Sequence, residues 1–370
     1  MYADLNTPER ILLGPGPSMV HPRVLRAMAH PLLGHLDPQF IALMNEVQEL
    51  LRYVFQTENE MTLPVSGTGS ASMESTVANL LEPGDSILIG VNGYFGDRLC
   101  DMAGRYGAEV RRLERPWGEV FDPAEIEAAL RQKPAKVVAL VHAETSTGAL
   151  QPLADVGEIV HRHGGLFLID CVTSLGGVPV DIDGWGVDIA YSGTQKCLSC
   201  PPGLGPLTVG PRAREAIRRR KTPVANWYLD LTQIESYWGA ERTYHHTAPI
   251  TMNFAIREAL RLVQEEGLEA RFERHRANSA LLWEGLADLG LALVVPAAHR
   301  LPTLTTVAVP EGVDEAAIRR QLLDEYNIEI AGGLGAFKGK AWRIGLMGYS
   351  SRPENVLLLL SALAHLLKKG

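Results

Sequence analysis

Cysteine is scarce in this chain: Cys100, Cys171, Cys197 and Cys200 are the only four among 370 residues. So few thiols cannot staple a chain of this length, which excludes a disulfide framework and makes a reducing, cytoplasmic setting the expectation. An excess of basic residues is also missing. The net charge of −8 argues against nucleic acid or an anionic membrane as partner, because both require a positive face. No uninterrupted apolar run reaches the roughly 18 residues that a membrane span needs. The opening MYADLNTPERILLGPGPS lacks a basic region followed by a long apolar run, so no secretory leader is expected. The ending HLLKKG is not a peroxisomal address. Repeats, low-complexity tracts and long blocks of one charge are absent too.

What is present is ordinary globular material. Hydrophobic residues make up 46% and charged residues 21%, enough to build a core. The length is about twice that of a usual single domain, which points to one large domain and a smaller one. TLPVS (62–66), SILIG (86–90), KVVALVH (136–142), LFLID (166–170) and DIAYS (188–192) read as buried strands. They are short, rich in Val, Ile and Leu, and bounded by Gly, Pro or Asp. Between them, 70–81, 95–106, 123–131 and 153–162 read as helices. Strands alternating with helices predict an α/β fold with a mostly parallel sheet covered on both faces. A helix from Asn253 to about Glu266, capped by Asn253 and ended by Gly267, reads as the hinge between domains. Beyond it, TLTTVAV (303–309), a helix at 314–325, IEIA (328–331) and AWRIGL (341–346) predict a small α+β domain. A last helix begins at Ser351, where Ser351 and Glu354 have capping-box spacing.

In a parallel sheet the ligand sits beyond the carboxyl ends of the strands. Four segments there have special chemistry. SGTGSASME (66–74) leads from a strand into a helix. Its small residues, its free N–H groups and the Thr68 and Ser70 hydroxyls can hold a phosphate. A plain turn is the other reading of such a motif, and the absence of a GKS or GKT ending speaks against a nucleotide P-loop. Asp170 ends the apolar run LFLID. A carboxylate there is costly unless a metal or a protonated ring nitrogen pairs with it, or unless it caps the next segment. Lys196 lies in YSGTQKCLSCPPGLGP (191–206), among small residues and prolines. A partly desolvated lysine loses basicity and becomes competent for Schiff-base chemistry, whereas a lone lysine is ordinarily a solvated charge. HAETSTG (142–148) supplies hydroxyls and a glycine where a ligand would lie. A phosphate anchor, an anion and an activated amine on successive strand ends are what pyridoxal 5′-phosphate requires.

The segments SGTGSASMES, EPGDSILIGVNGYFG, HAETSTGALQPL, LIDCVTSLGG, YSGTQKCLSCPPGLGP, YHHTAP and WRIGLMG strongly resemble the class V pyridoxal-phosphate-dependent aminotransferases, in particular the alanine–glyoxylate and serine–pyruvate/glyoxylate family. The resemblance runs from GPGPS (14–18) to the end. It implies the type I fold of pyridoxal-phosphate enzymes and a homodimer with active sites at the subunit interface. The division expected is an arm at 1–15, a large cofactor-binding domain at 16–255 and a small domain at 256–370. Residue by residue, the resemblance makes Lys196 the Schiff-base lysine and then the base and acid that moves the proton between Cα and the cofactor's C4′. It makes Asp170 the partner of the pyridine nitrogen. Thr68, Gly69 and Ser70 become the phosphate cradle, joined by Gln195; the family often carries His where this chain has Ser70. Phe95 matches an aromatic that stacks on the cofactor ring. Thr145 matches a hydroxyl near the cofactor and the substrate. Tyr244 and Thr247 of YHHT match residues that reach the neighbouring subunit's phosphate. Arg343 matches the arginine whose planar fork grips the substrate carboxylate, with a structural salt bridge as its other reading. GPGPS, with Gly16, and GHLDP (34–38) border the substrate pocket, where His35 reads as a loop residue.

The implied reaction moves an amino group from alanine or serine to glyoxylate or pyruvate in two half-reactions. Other class V enzymes, using 2-aminoethylphosphonate or pyridoxamine, are the alternative. A cysteine desulfurase would need a loop cysteine in the last third, and none follows Cys200. A non-enzymatic scaffold would be expected to lack Lys196 or Asp170, and both are present. His142-Ala143-Glu144 with Cys197 and Cys200 has the pieces of a zinc deaminase, but the first Cys follows Lys rather than Pro. No metal is expected, and the cysteines are expected to be packed thiols.

Overall fold

A computed structural model describes residues 2–369. Seven strands form the main sheet: β1 (Met61–Ser66), β2 (Ser86–Val91), β3 (Glu109–Glu114), β4 (Val137–Val141), β5 (Leu166–Asp170), β6 (Ile189–Tyr191) and β7 (Leu204–Val209). Their order is β1-β7-β6-β5-β4-β2-β3. Only β7 runs antiparallel to its neighbours, so the carboxyl ends of the other six share one edge. The helices α1 (Pro22–Met28), α2 (Pro38–Phe55), α3 (Gly69–Leu80), α4 (Tyr94–Arg105), α5 (Pro123–Gln132) and α6 (Val156–Arg162) precede or connect these strands. All residues of β1, β4, β5, β6 and β7 are buried. That is why β1, β4, β5 and β6 read as continuous apolar runs rather than alternating ones.

Two strands of the main sheet escaped the sequence reading. β7 includes part of the glycine- and proline-rich stretch that reads as loop. Pro206 of β7 stands opposite Pro64 of β1. The Pro206 carbonyl accepts from Ser192 N–H at 2.8 Å on the β6 side, so its pairing with Pro64 is a non-hydrogen-bonded one, and the Ser192 carbonyl, to which a proline cannot donate, accepts from Ser72 Oγ instead. β3, with sequence EVRRLE, has no apolar run because it is a half-exposed edge strand. Its charges protect that edge from pairing with another chain.

The expected hinge helix spans Ile250–Glu266 (α7) and starts one turn earlier than the sequence suggests. Pro249 is its cap residue, whereas Asn253 is fully buried inside the helix, where its amide donates to the Pro249 carbonyl at 3.1 Å. Ile256, Leu260 and Val263 join the core of the main sheet. The core changes within α8 (Leu268–Asp288): Phe272 belongs to the first cluster, Leu282 and Leu286 to a second.

That second cluster lies under a three-stranded sheet of β8 (Leu304–Ala308), β9 (Ala331–Gly332) and β10 (Ala341–Gly345), with α9 (Glu315–Tyr326) and α10 (Pro353–Lys369) against it. Residues 11–13 are stitched into this unit. Ile11 and Leu12 pair with Ile328 and Glu329, and Gly345 N–H donates to the Leu13 carbonyl at 2.7 Å. The last helix begins at Pro353 rather than Ser351, because Ser351 Oγ accepts instead from the Asn278 amide. A third apolar group, including Ala143, Cys197, Leu304 and Met347, joins the two units. Among the described residues no helix is long and apolar enough to cross a membrane.

Candidate active site

Lys196 lies in the loop after β6, and only 8% of it is exposed. Burial, helped by the positive charge of Arg343, lowers its pKa to about 8. Its Nζ donates to the Pro15 carbonyl. Gly16, at φ +103°, has to be a glycine, because a Cβ there would come within 2.7 Å of the lysine side chain. The loop itself is pinned. Ser18 Oγ donates to the Lys196 carbonyl at 2.7 Å, Ser18 N–H to Gln195, and buried Arg271 to the Cys197 and Gly176 carbonyls. The amine is thus presented by fixed backbone.

Asp170 ends β5, is 3% exposed, and burial pushes its pKa up to about 6. Two donors hold the carboxylate: Val172 N–H reaches Oδ1 at 2.9 Å, and the Tyr191 hydroxyl reaches Oδ2 at 2.8 Å. Tyr191 stands beside Asp170 in the parallel β5–β6 register. It is a positioning residue that the sequence reading missed, since only topology puts the two side by side. Its hydrogen bond favours the charged form of Asp170. Tyr191→Phe is therefore expected to raise the Asp170 pKa and to move the acid limb of the kcat/KM profile to higher pH. The lost bond corresponds to a decrease of about 3- to 10-fold at neutral pH. An unmoved acid limb in pH-resolved kinetics would count against the role.

At the end of β1, Gly69 opens α3 and abuts the Lys196 loop: a Cβ on Gly69 would lie 3.3 Å from Gly193 Cα. Thr68 and Ser70 beside it are exposed, and the Thr68 side chain makes no capping bond. Gln195 Oε1 is buried without a hydrogen-bond partner. After β2, Phe95 is half-buried near the start of α4. Glu144, fully buried, fixes this turn. Its carboxylate accepts from Phe95 N–H at 3.1 Å and from Ser146 Oγ at 2.6 Å, and burial raises its pKa. Glu144 thus ties the β2 and β4 strand ends together, a role that the H-x-E spacing alone did not suggest.

Arg343 comes from β10 in the second unit and is 6% exposed. Its Nε donates to Gly332 and its Nη1 to the Thr145 carbonyl at 3.2 Å. Thr145 Oγ1 is itself bonded to Thr173 Oγ1. Among the described residues no carboxylate lies within ion-pair distance of Arg343, so the structural salt bridge is not what holds it. Burial lowers its pKa to about 10, but it stays charged at neutral pH. The fold thus brings Gly16, Thr145, Asp170, Lys196 and Arg343 together, with Thr68, Gly69, Ser70, Phe95 and Gln195 at neighbouring strand ends.

A model of the aminotransferase class-V family matches residues 11–354. The chain belongs to the class V aminotransferases. It is 44% identical to the (S)-ureidoglycine–glyoxylate transaminase of Bacillus subtilis, an alignment covering 97% of this chain and 91% of that one. It is also 44% identical to the alanine–glyoxylate aminotransferase of Rattus norvegicus, covering 98% and 89%. The crystal structure of an alanine–glyoxylate aminotransferase from Nostoc sp. superposes with a TM-score of 0.98 at 58% identity, covering 99% of this chain and 97% of that one. This aminotransferase has the type I fold expected from its motifs.

Two expected site residues stand apart in the single chain. Tyr244 is 58% exposed and Thr247 is also exposed; the Tyr244 ring lies 5.2 Å from that of His35, in a turn. The rest of YHHT does touch the cradle strand, through His246 Nε2 at 2.6 Å from Ser66 Oγ. The features that suggested zinc have other uses. His142 Nδ1 bonds Ser174 Oγ at 2.9 Å, and burial lowers its pKa to about 3. Among the described residues no three His, Cys, Asp or Glu side chains could hold a metal ion. Cys197 and Cys200 are buried free thiols, and burial pushes the Cys197 pKa up to about 11.

Proposed function

We propose that this aminotransferase binds pyridoxal 5′-phosphate at Lys196 and transfers an amino group from alanine or serine to glyoxylate, with pyruvate as the other candidate acceptor. What carries the reading is the convergence of a buried, weakly basic lysine, a buried carboxylate and a carboxylate-free arginine on one set of strand ends. The residues suit the cofactor. Asp170, raised by burial, is in contact with Val172 N–H and the Tyr191 hydroxyl but makes no ion pair among the described residues, and a protonated ring nitrogen would supply one. The open N–H groups at the start of α3 suit a phosphate. Thr68, Gly69, Ser70 and Gln195 would hold that phosphate, Phe95 and Thr145 the ring, and Tyr244 and Thr247 would reach a second subunit's site in a homodimer.

When bound, the cofactor supplies an electron sink and carries the amino group between donor and acceptor. The protein's residues do the rest. Arg343 binds the substrate α-carboxylate with its fork and sets the orientation of Cα. Lys196 Nζ would take the proton from Cα and deliver it to the cofactor's C4′, and would run the same transfer in reverse in the second half-reaction; a pKa near 8 lets it serve in both directions at neutral pH. Asp170 keeps a negative charge at the end of β5. The Pro15 carbonyl and the space left by Gly16 accommodate the free lysine. We also propose that the working enzyme is cytoplasmic and that the boundary between its two units runs through α8, where the apolar core changes.

Glyoxylate is the favoured acceptor because it appears in the names of both the B. subtilis and the rat relatives. Their equal identity to this chain also supports a second reading, in which ureidoglycine is the donor. The pyridoxamine–pyruvate aminotransferase of Mesorhizobium loti is a more distant relative, at 28% identity and a TM-score of 0.93. The test is a panel of alanine, serine, ureidoglycine and pyridoxamine against glyoxylate and pyruvate. Alanine or serine with glyoxylate should give the highest kcat/KM. A preference for ureidoglycine would install the second reading, and turnover only with pyridoxamine would overturn both.

A further inference from the structure

The phosphate cradle has a charge deficit. Thr68, Gly69, Ser70 and Gln195 are all neutral, whereas a phosphate monoester carries roughly −1.5 to −2 at pH 7. Lys196 is committed to the cofactor's aldehyde and Arg343 to the substrate. On a protein of net charge −8, a dianion needs a dedicated cation.

Arg98 is placed to be that cation. It is the fifth residue of α4, three residues after Phe95. Its Nη1 is 3.4 Å from Ser70 Oγ. The guanidinium lies 4.8 Å from the centre of the Phe95 ring and 5.2 Å from that of Tyr94, so aromatic faces fix its position. Nearby arginines are paired: Arg105 with Asp101, Arg112 with Asp97 and Glu114. Arg98 is half-buried and, among the described residues, has no carboxylate within ion-pair distance. The charge of Arg98 also reaches into the site, acting on both Asp170 and Lys196.

We infer that Arg98 is a cofactor-binding residue that supplies the positive charge of the phosphate site, reaching it across Ser70. The inference rests on the reading of this site as a pyridoxal-phosphate site. The test uses apoenzyme and measures binding by equilibrium dialysis, not turnover. Wild type, Arg98→Met and Arg98→Lys are titrated with pyridoxal 5′-phosphate, with pyridoxal, and with pyridoxal plus inorganic phosphate. Arg98→Met should bind pyridoxal phosphate about 10- to 100-fold more weakly, as expected for loss of a charged hydrogen bond. It should bind pyridoxal as wild type does, which also shows that the variant is folded. Inorganic phosphate should compete with pyridoxal phosphate for wild type and much less for Arg98→Met, and Arg98→Lys should recover most of the affinity. Equal losses for pyridoxal and its phosphate would assign Arg98 to support of the Phe95 ring instead, and an unchanged affinity for both would also overturn the inference. If wild type binds neither compound, the cofactor reading itself falls and takes this inference with it.

Discussion

Lys196→Ala is expected to abolish transamination, with turnover reduced by about 10⁴-fold or more. Two roles vanish with one amine. The loss of a positioned general base alone costs up to about 10⁴-fold, and the covalent attachment of the cofactor is lost as well. Lys196→Arg is expected to be equally inactive, because a guanidinium stays protonated and cannot take a proton. Cofactor affinity should decrease much less than turnover, since the cradle and Asp170 remain. Borohydride treatment of the holoenzyme followed by peptide mapping should place the reduced adduct on the peptide carrying Lys196 and nowhere in the alanine variant. The pH dependence gives an independent check. Only the neutral amine reacts with an aldehyde, and burial brings the lysine from 10.5 to about 8. The rate at which apoenzyme takes up pyridoxal phosphate should therefore rise with pH through about 8 and level off above it. A rate still climbing past pH 10 would mean that the lysine is not desolvated, and an adduct on another lysine would remove Lys196 from its role.

The strand ends were legible in the sequence because buried parallel strands leave a clear mark. β4 and β5 are unbroken apolar runs, and in such a run the final Asp170 stands out as a charge that needs a reason. Lys196 stood out by contrast with its small, uncharged neighbours. Less visible were features that depend on pairing. β7 is hidden by Gly205 and Pro206; Pro206 is tolerated because the Ser192 carbonyl that it leaves without a donor takes the Ser72 hydroxyl instead. β3 is hidden by its own charges, which an edge strand can carry. Tyr191 looks like any strand tyrosine until the β5–β6 register puts its hydroxyl on Asp170. Asn253 looked like a cap because it precedes an amphipathic stretch, but the helix starts earlier and buries it. Tyr244 and Thr247 came from the resemblance alone, and their exposure in one chain is what residues serving a neighbouring site would have.

Arg343→Ala is expected to raise the KM for amino acids by between about 30-fold and a few thousand-fold, while the affinity for pyridoxal phosphate changes little. The reason is the company Arg343 keeps. A buried guanidinium is normally balanced by a carboxylate, yet among the described residues its hydrogen bonds go only to the carbonyls of Gly332 and Thr145. It has been desolvated in advance for an anion that the protein does not provide. Truncating one partner of a buried, hydrogen-bonded charge pair costs about 2–5 kcal/mol, which gives the stated range at roughly 1.4 kcal/mol per tenfold. Arg343→Lys should restore charge but not the paired geometry, and so recover only part of the loss. Alaninamide separates substrate binding from general damage. Wild type should strongly prefer alanine to its amide, and Arg343→Ala should lose that preference while keeping its residual rate with the amide. Folding stability should decrease only modestly, by about 1–3 kcal/mol for a carbonyl left without its donor. An equal loss of cofactor and substrate affinity, or an undiminished preference for alanine over alaninamide, would show that the carboxylate is held elsewhere.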